Sequence, residues 1–193
     1  MAYPVIPDVP ALTLAGEQRA TYIASITGLV PAAACTDLVS LIGSASKVVK
    51  VTRVEIKGQT TAVTARSVEV QLLKRSTAST TSGVSTGSPT AVPYDSGDPV
   101  ATAVMYGWTT CNTSLGTLVG TALKNVQHYL NLITDTATDF PPQESIVWEF
   151  GNRPSKELIL HGVAEQIAIN LNGGTMPAGS TFDISIEWTE SAT

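Results

Sequence analysis

Apolar and polar residues alternate with a period of two along most of this chain. The last third shows it best. Ile146, Trp148 and Phe150 alternate with Val147 and Glu149, and Leu158 and Leu160 with Glu157, Ile159 and His161. Ile167, Ile169 and Leu171 alternate with Gln166, Ala168 and Asn170. After the turn Asn172-Gly173-Gly174, Phe182, Ile184, Ile186 and Trp188 alternate with Asp183, Ser185, Glu187 and Thr189. Successive side chains of a strand leave opposite faces, so this is the signature of half-buried β-strands.

Upstream, residues 19–27, 37–42, 47–57 and 60–74 read as strands, with Lys57-Gly58-Gln59 as a turn between the last two. Residues 100–108 predict a strand with Val100, Thr102, Val104, Tyr106 and Trp108 on one face. Residues 115–123 and 126–133 follow as strands, with a helix over 122–132 as the competing reading. The Ser/Thr/Gly tract 76–88 has almost no side chain able to fill a core and reads as an exposed loop. Eight to ten strands separated by Gly, Pro and Asn turns predict an all-β fold: an antiparallel two-sheet sandwich, jelly-roll-like.

The N-terminus departs from this pattern. Pro4, Pro7 and Pro10 prevent a regular helix and favour an extended arm over residues 1–20, ahead of a sandwich domain at 21–193. The arm is apolar, with Tyr3, Val5, Ile6, Val9, Leu12 and Leu14, and Asp8 is the only side chain charged at neutral pH among its first fourteen residues. Each large apolar side chain left in water forgoes burial worth roughly 1.5–3 kcal/mol. Those six residues are therefore expected to lie against a surface, that of a partner such as a sister subunit or that of the chain's own sandwich.

Composition narrows the class. The chain has 193 residues, 43% of them hydrophobic and only 14% charged. That excludes disorder, which needs low hydrophobicity and high charge, and a coiled coil, which needs Ala, Glu, Lys, Leu and Arg. A net charge of −5 makes nucleic acid an unexpected partner. Seven of the eleven basic residues lie between Lys47 and Arg75, while acids dominate from Asp135 onward. No apolar run reaches membrane-spanning length, and the first residues lack the features of a signal peptide. Cys35 and Cys111 make no disulfide framework in a chain this long.

Motifs for chemistry are weak. Gly83-Val84-Ser85-Thr86-Gly87 has the form of a nucleophile elbow, but it sits in a low-complexity tract without the strand-to-helix context the elbow requires. Ser44-Ala45-Ser46-Lys47 lies between strands and opens no helix. His128 and His161 have no ligand-like neighbours, and Asp95, Asp98, Asp135 and Asp139 read as turn formers before calcium ligands. Glu149, Glu165 and Glu187 read as solvated outer-face acids. No catalytic residue, metal or cofactor is expected.

Four segments carry a resemblance. They are Thr36-Asp37-Leu38-Val39 with Gly43-Ser44-Ala45-Ser46-Lys47 and Val51-Thr52-Arg53-Val54-Glu55-Ile56-Lys57-Gly58; Val70-Gln71-Leu72-Leu73-Lys74-Arg75-Ser76-Thr77-Ala78; Pro89-Thr90-Ala91-Val92-Pro93-Tyr94-Asp95-Ser96; and Trp148-Glu149-Phe150-Gly151 with Ile169-Asn170-Leu171-Asn172-Gly173 and Asp183-Ile184-Ser185-Ile186-Glu187-Trp188-Thr189-Glu190. In these the chain resembles small structural virion proteins of tailed bacteriophages, of the decoration, cement or head-fibre type. The resemblance implies a non-enzymatic virion protein, assembled in the host cytoplasm, whose partner is the major capsid protein or another virion protein. Closed rings are the default for homo-oligomers, and a trimer is expected. The competing expectation is a carbohydrate- or receptor-binding module on a neck, tail or fibre, with Trp108, at a strand end, as the stacking platform.

Overall fold

Over residues 19–31, 37–79, 85–110, 114–133, 144–151 and 157–192, which a computed structural model of the chain describes, the alternation becomes thirteen strands. The first seven are β1 (Ala20–Leu29), β2 (Asp37–Ile42), β3 (Lys47–Thr60), β4 (Ser67–Arg75), β5 (Ser85–Gly87), β6 (Val92–Pro93) and β7 (Val104–Trp108). The rest are β8 (Lys124–Tyr129), β9 (Asn131–Leu132), β10 (Ser145–Glu149), β11 (Leu158–His161), β12 (Gln166–Asn170) and β13 (Thr181–Ala192). The arm residues Tyr3, Val5, Ile6, Val9, Leu12 and Leu14, and both cysteines, lie outside the described residues.

The strands form two sheets packed face to face. One has the order β10-β3-β13-β1-β6, with β11 and β9 also on β3; the other has the order β5-β7-β2-β12-β4-β8. All pairings are antiparallel except the two-residue contact of β9 with the end of β3. The pairs nest: β1 with β13, β2 with β12, β3 with β10 and β11, β4 with β8. Nested antiparallel pairs distributed over two sheets are the winding of a jelly roll. β5, β6 and β7 are an excursion between β4 and β8.

The core lies between the sheets. Phe182, Ile184, Ile186 and Trp188 of β13 enter it as their spacing predicts. On β3 the core residues are Val49, Val51, Val54 and Ile56, where the period slips by one. A bulge absorbs the slip: Glu187 pairs with Arg53 and Trp188 with Val51, leaving Thr52 extra. The Thr52 hydroxyl then donates to Glu187 Oε1 at 2.6 Å.

Four sequence expectations are corrected. Residues 115–123, expected as a strand, form none and make one isolated bridge, Leu118 opposite Arg75. Residues 122–132 are not helical: β8 pairs with β4 from Ser67 opposite Tyr129 to Leu72 opposite Lys124, and Val126 and Leu130 turn to the core. The strand expected over 100–108 begins at Val104, because the Glu190 carboxylate takes the backbone N–H groups of Thr102 and Ala103. The turn expected at 57–59 is instead the continuous interior of β3, and the chain reverses only after Thr60.

Gly58 is in β3 because its neighbours leave no room for a side chain. A β-carbon there would sit 3.1 Å from Phe182 Cε1 and 3.2 Å from His128 Nε2, and would overlap Leu130. Overpacking of this kind costs about 1–3 kcal/mol. Gly58→Ala is therefore expected to lower the unfolding free energy by that amount, seen in equilibrium unfolding as a lower denaturant midpoint at unchanged slope.

Candidate functional site

The outer face of the six-stranded sheet is unusual. All five residues of β12 are buried, although only Ile167 and Ile169 belong to the inter-sheet core. Gln166, Ala168 and Asn170 point to the other side and are covered there as well. Most polar groups in this second layer are paired with one another, although the buried Gln166 Nε2 has no hydrogen-bond partner. Arg75 meets Asp37 through two parallel bonds, Nη1 to Oδ2 at 2.7 Å and Nη2 to Oδ1 at 3.0 Å, with the two side chains 3% and 0% exposed. Asn170 Nδ2 donates to the same carboxylate at 2.6 Å. Gln166 Oε1 accepts from the backbone N–H and the hydroxyl of Ser79.

Trp108 belongs to this covered layer. Its expected role as an exposed stacking platform is corrected: it is 1% exposed, donates Nε1–H to Ser40 Oγ at 3.1 Å and stacks on Tyr106 at 5.8 Å between ring centres. A strand-end position exposes an aromatic ring only if the sheet face around it is open, and this one is closed. Trp188 is fully buried, as its register predicts.

Toward the β8 edge the same face opens. A hollow of about 490 Å³ has Gln71, Leu73 and Asn172 on one side and Leu115, Leu118 and Ala122 on the other. The second side is held by backbone bonds from Ser76 N to Thr117 O at 2.9 Å and from Val119 N to Lys74 O at 2.9 Å. A second hollow of about 290 Å³ is lined by Ser67, Glu69, Gln127, Thr175 and Met176. Glu69, Gln71 and Asn172 form the partition between them.

Local sequence explains the partition. Period-two alternation puts Ser67, Glu69 and Gln71 of β4 on the outer face, opposite Tyr129, Gln127 and Asn125 of β8. The predicted Asn172-Gly173-Gly174 turn brings in the last member. Asn172 adopts φ 52°, a left-handed conformation that Asn tolerates better than most residues. Its N–H donates to Asn170 Oδ1 at 2.6 Å, and its Nδ2 donates to Glu69 Oε2 at 3.1 Å. Asn125 Nδ2 and Gln71 Nε2 donate to Glu69 Oε1 at 2.7 and 2.9 Å. The amides of Asn172, Gln71 and Asn125 hold the Glu69 carboxyl below the usual glutamate range. The sequence signal, polar residues at alternate positions of β4, reads as a solvated face; only the tertiary pairing gathers them.

Other expected groups have structural roles. Glu187 bonds Thr52 and Tyr94, Glu165 pairs with Lys74 at 3.1 Å, and Glu149 is exposed. Asp95 serves its own turn, accepting from Gly97 N at 2.8 Å. Among the described residues no three of His, Cys, Asp and Glu gather to hold a metal ion. No helix among them is long and apolar enough to cross a membrane. No protein-family model, curated protein or solved structure matches this chain.

His161 is exposed at a strand end, whereas His128 is buried, 3% exposed, with Nε2 lacking a hydrogen-bond partner. Burial pulls its pKa below the ordinary 6.5, against an opposing pull from Glu144. The unfolded chain therefore binds the proton first as pH falls, so stability is complete above pH 6.5 and declines below it until the folded value is reached. Denaturant titrations stepped from pH 7.5 to 5 are expected to show that decline, and His128→Phe to flatten it relative to wild type.

Proposed function

We propose that this chain is a non-enzymatic structural protein of a tailed-phage particle, decorating or cementing the capsid surface through symmetric oligomer contacts. The observation that carries the reading is the winding itself. A jelly roll of two packed sheets is an architecture that viral capsid proteins use, and it works by presenting faces and edges to neighbours. Three buried ionisable groups have structural partners in keeping with it: Asp37 and Arg75 are engaged with each other, and Glu190 holds the 102–103 connector. The sequence resemblance to decoration, cement and head-fibre proteins points the same way.

Attachment in this reading belongs to the N-terminal arm, whose six apolar residues and three prolines suit an extended strap on the capsid or a sister subunit. Mass photometry of the purified protein is expected to show a trimer, and sedimentation with capsids to show binding. Deleting residues 1–14 is expected to leave the melting profile unchanged and to abolish trimerisation or incorporation. A strict monomer at micromolar concentration that binds no capsid would overturn the reading.

A further inference from the structure

The outer-face strip at the β8 edge is organised beyond what a solvated strand face requires. Side chains on such a face point to water independently, and fixing each one costs rotamer entropy. Here Glu69 draws Asn125, Gln71 and Asn172 into one cluster. A carboxylate only accepts hydrogen bonds, so each amide must turn its NH₂ to Glu69 and its carbonyl oxygen elsewhere. Those three carbonyl oxygens, the Gln127 amide and the Ser67 hydroxyl make no hydrogen bond among the described residues. The result is a row of pre-oriented acceptors with two adaptable donors.

The surroundings restrict what that row can hold. Aliphatic side chains, Leu73, Leu115 and Leu118 in one hollow and Met176 in the other, stand beside the polar row. At the end of the row, across from Ser67, Tyr129 is 49% exposed, with the Arg66 guanidinium 4.8 Å from its ring centre. Three amide donors already occupy the Glu69 oxygens, no three of His, Cys, Asp and Glu gather among the described residues to hold a metal ion, and the negative carboxylate repels anions. A ligand that offers hydroxyl donors along one edge, C–H faces to aliphatic and aromatic walls, and no charge fits all of these features. Two hollows on either side of a hydrogen-bonding partition match a ligand of repeated units.

We infer that the Tyr129–Ser67–Gln127–Glu69–Asn125–Gln71–Asn172 strip binds an uncharged oligosaccharide across the two hollows. This goes beyond the particle reading and does not depend on the arm or on assembly.

The test is a printed array of neutral and anionic oligosaccharides, from bacterial surfaces in one arm and animal cells in the other, probed with the full chain. The best neutral hit is then titrated into ¹⁵N-labelled protein. Binding to neutral glycans is expected, with shifts in the side-chain NH₂ signals of Asn125, Gln71 and Asn172. Asn125→Ala and Tyr129→Ala are each expected to weaken it about tenfold, a loss of about 1.4 kcal/mol, without moving Tm. The array arm that lights up identifies the source of the glycan. The inference is overturned if no neutral glycan binds at millimolar concentration, if only anionic ones do, or if both variants bind like wild type.

Discussion

Arg75→Ala is expected to destabilise the protein by about 3–5 kcal/mol, the usual cost of removing one partner of a buried ion pair. Asp37 is fully buried, and its carboxylate would lose two charge-assisted bonds of 2.7 and 3.0 Å while its negative charge stayed in the interior. Asn170, which donates to the same carboxylate, cannot supply a positive charge. For a domain of this size the loss lowers Tm by on the order of 10 °C. Differential scanning calorimetry checks it. The double variant Asp37→Leu/Arg75→Met removes both charges while keeping apolar volume, and is expected to melt closer to wild type than Arg75→Ala does. An Arg75→Ala protein that melts with wild type would show that the pair is incidental to the fold.

Glu190→Ala is the second large effect, and its consequence is more local. Glu190 is 6% exposed, and its Oε1 accepts from the Trp188 indole at 3.0 Å and from the N–H groups of Thr102 and Ala103 at 2.9 Å each. Its Oε2 receives the Thr102 hydroxyl at 2.6 Å. The Ser44 hydroxyl, 2.6 Å from Thr102 Oγ1, accepts the N–H groups of Ser46 and Lys47, so one proton chain runs Ser44, Thr102, Glu190. Truncation leaves several buried donors unsatisfied, at about 1–3 kcal/mol each. We expect a loss on the order of 3–5 kcal/mol. Hydrogen exchange is expected to accelerate first at Thr102 and Ala103, and the near-ultraviolet dichroism of Trp188 to weaken. Glu190→Gln, which retains one acceptor oxygen, is expected to fall between. Equal exchange at Thr102 in all three proteins would remove Glu190 from this role.

The two predictions mark where sequence reading succeeds and where it stops. Glu190 continues the inward register of Phe182, Ile184, Ile186 and Trp188, so its burial follows from alternation alone. Its partners, on a connector about ninety positions earlier, do not. Gln166, Ala168 and Asn170 alternate with core residues and read as a solvent face, yet that face is covered. Trp108 ends its strand, yet lies under the same cover. A period of two establishes that a strand has two faces; it does not say what each face meets.

By itself, the sequence determined that this chain is all-β, which positions of β4 and of β10 to β13 face the sandwich core, and that Asn172-Gly173-Gly174 makes a turn. These follow from local properties: alternation, β-branching and the backbone freedom of glycine and asparagine. Tertiary structure alone decided the nested pairing that places Ala20 beside Glu190, the second covered layer around Asp37 and Arg75, and the gathering of Asn125, Gln71 and Asn172 about Glu69. Each depends on contacts between residues far apart in the chain, and local pattern carries no record of which distant strand lies alongside.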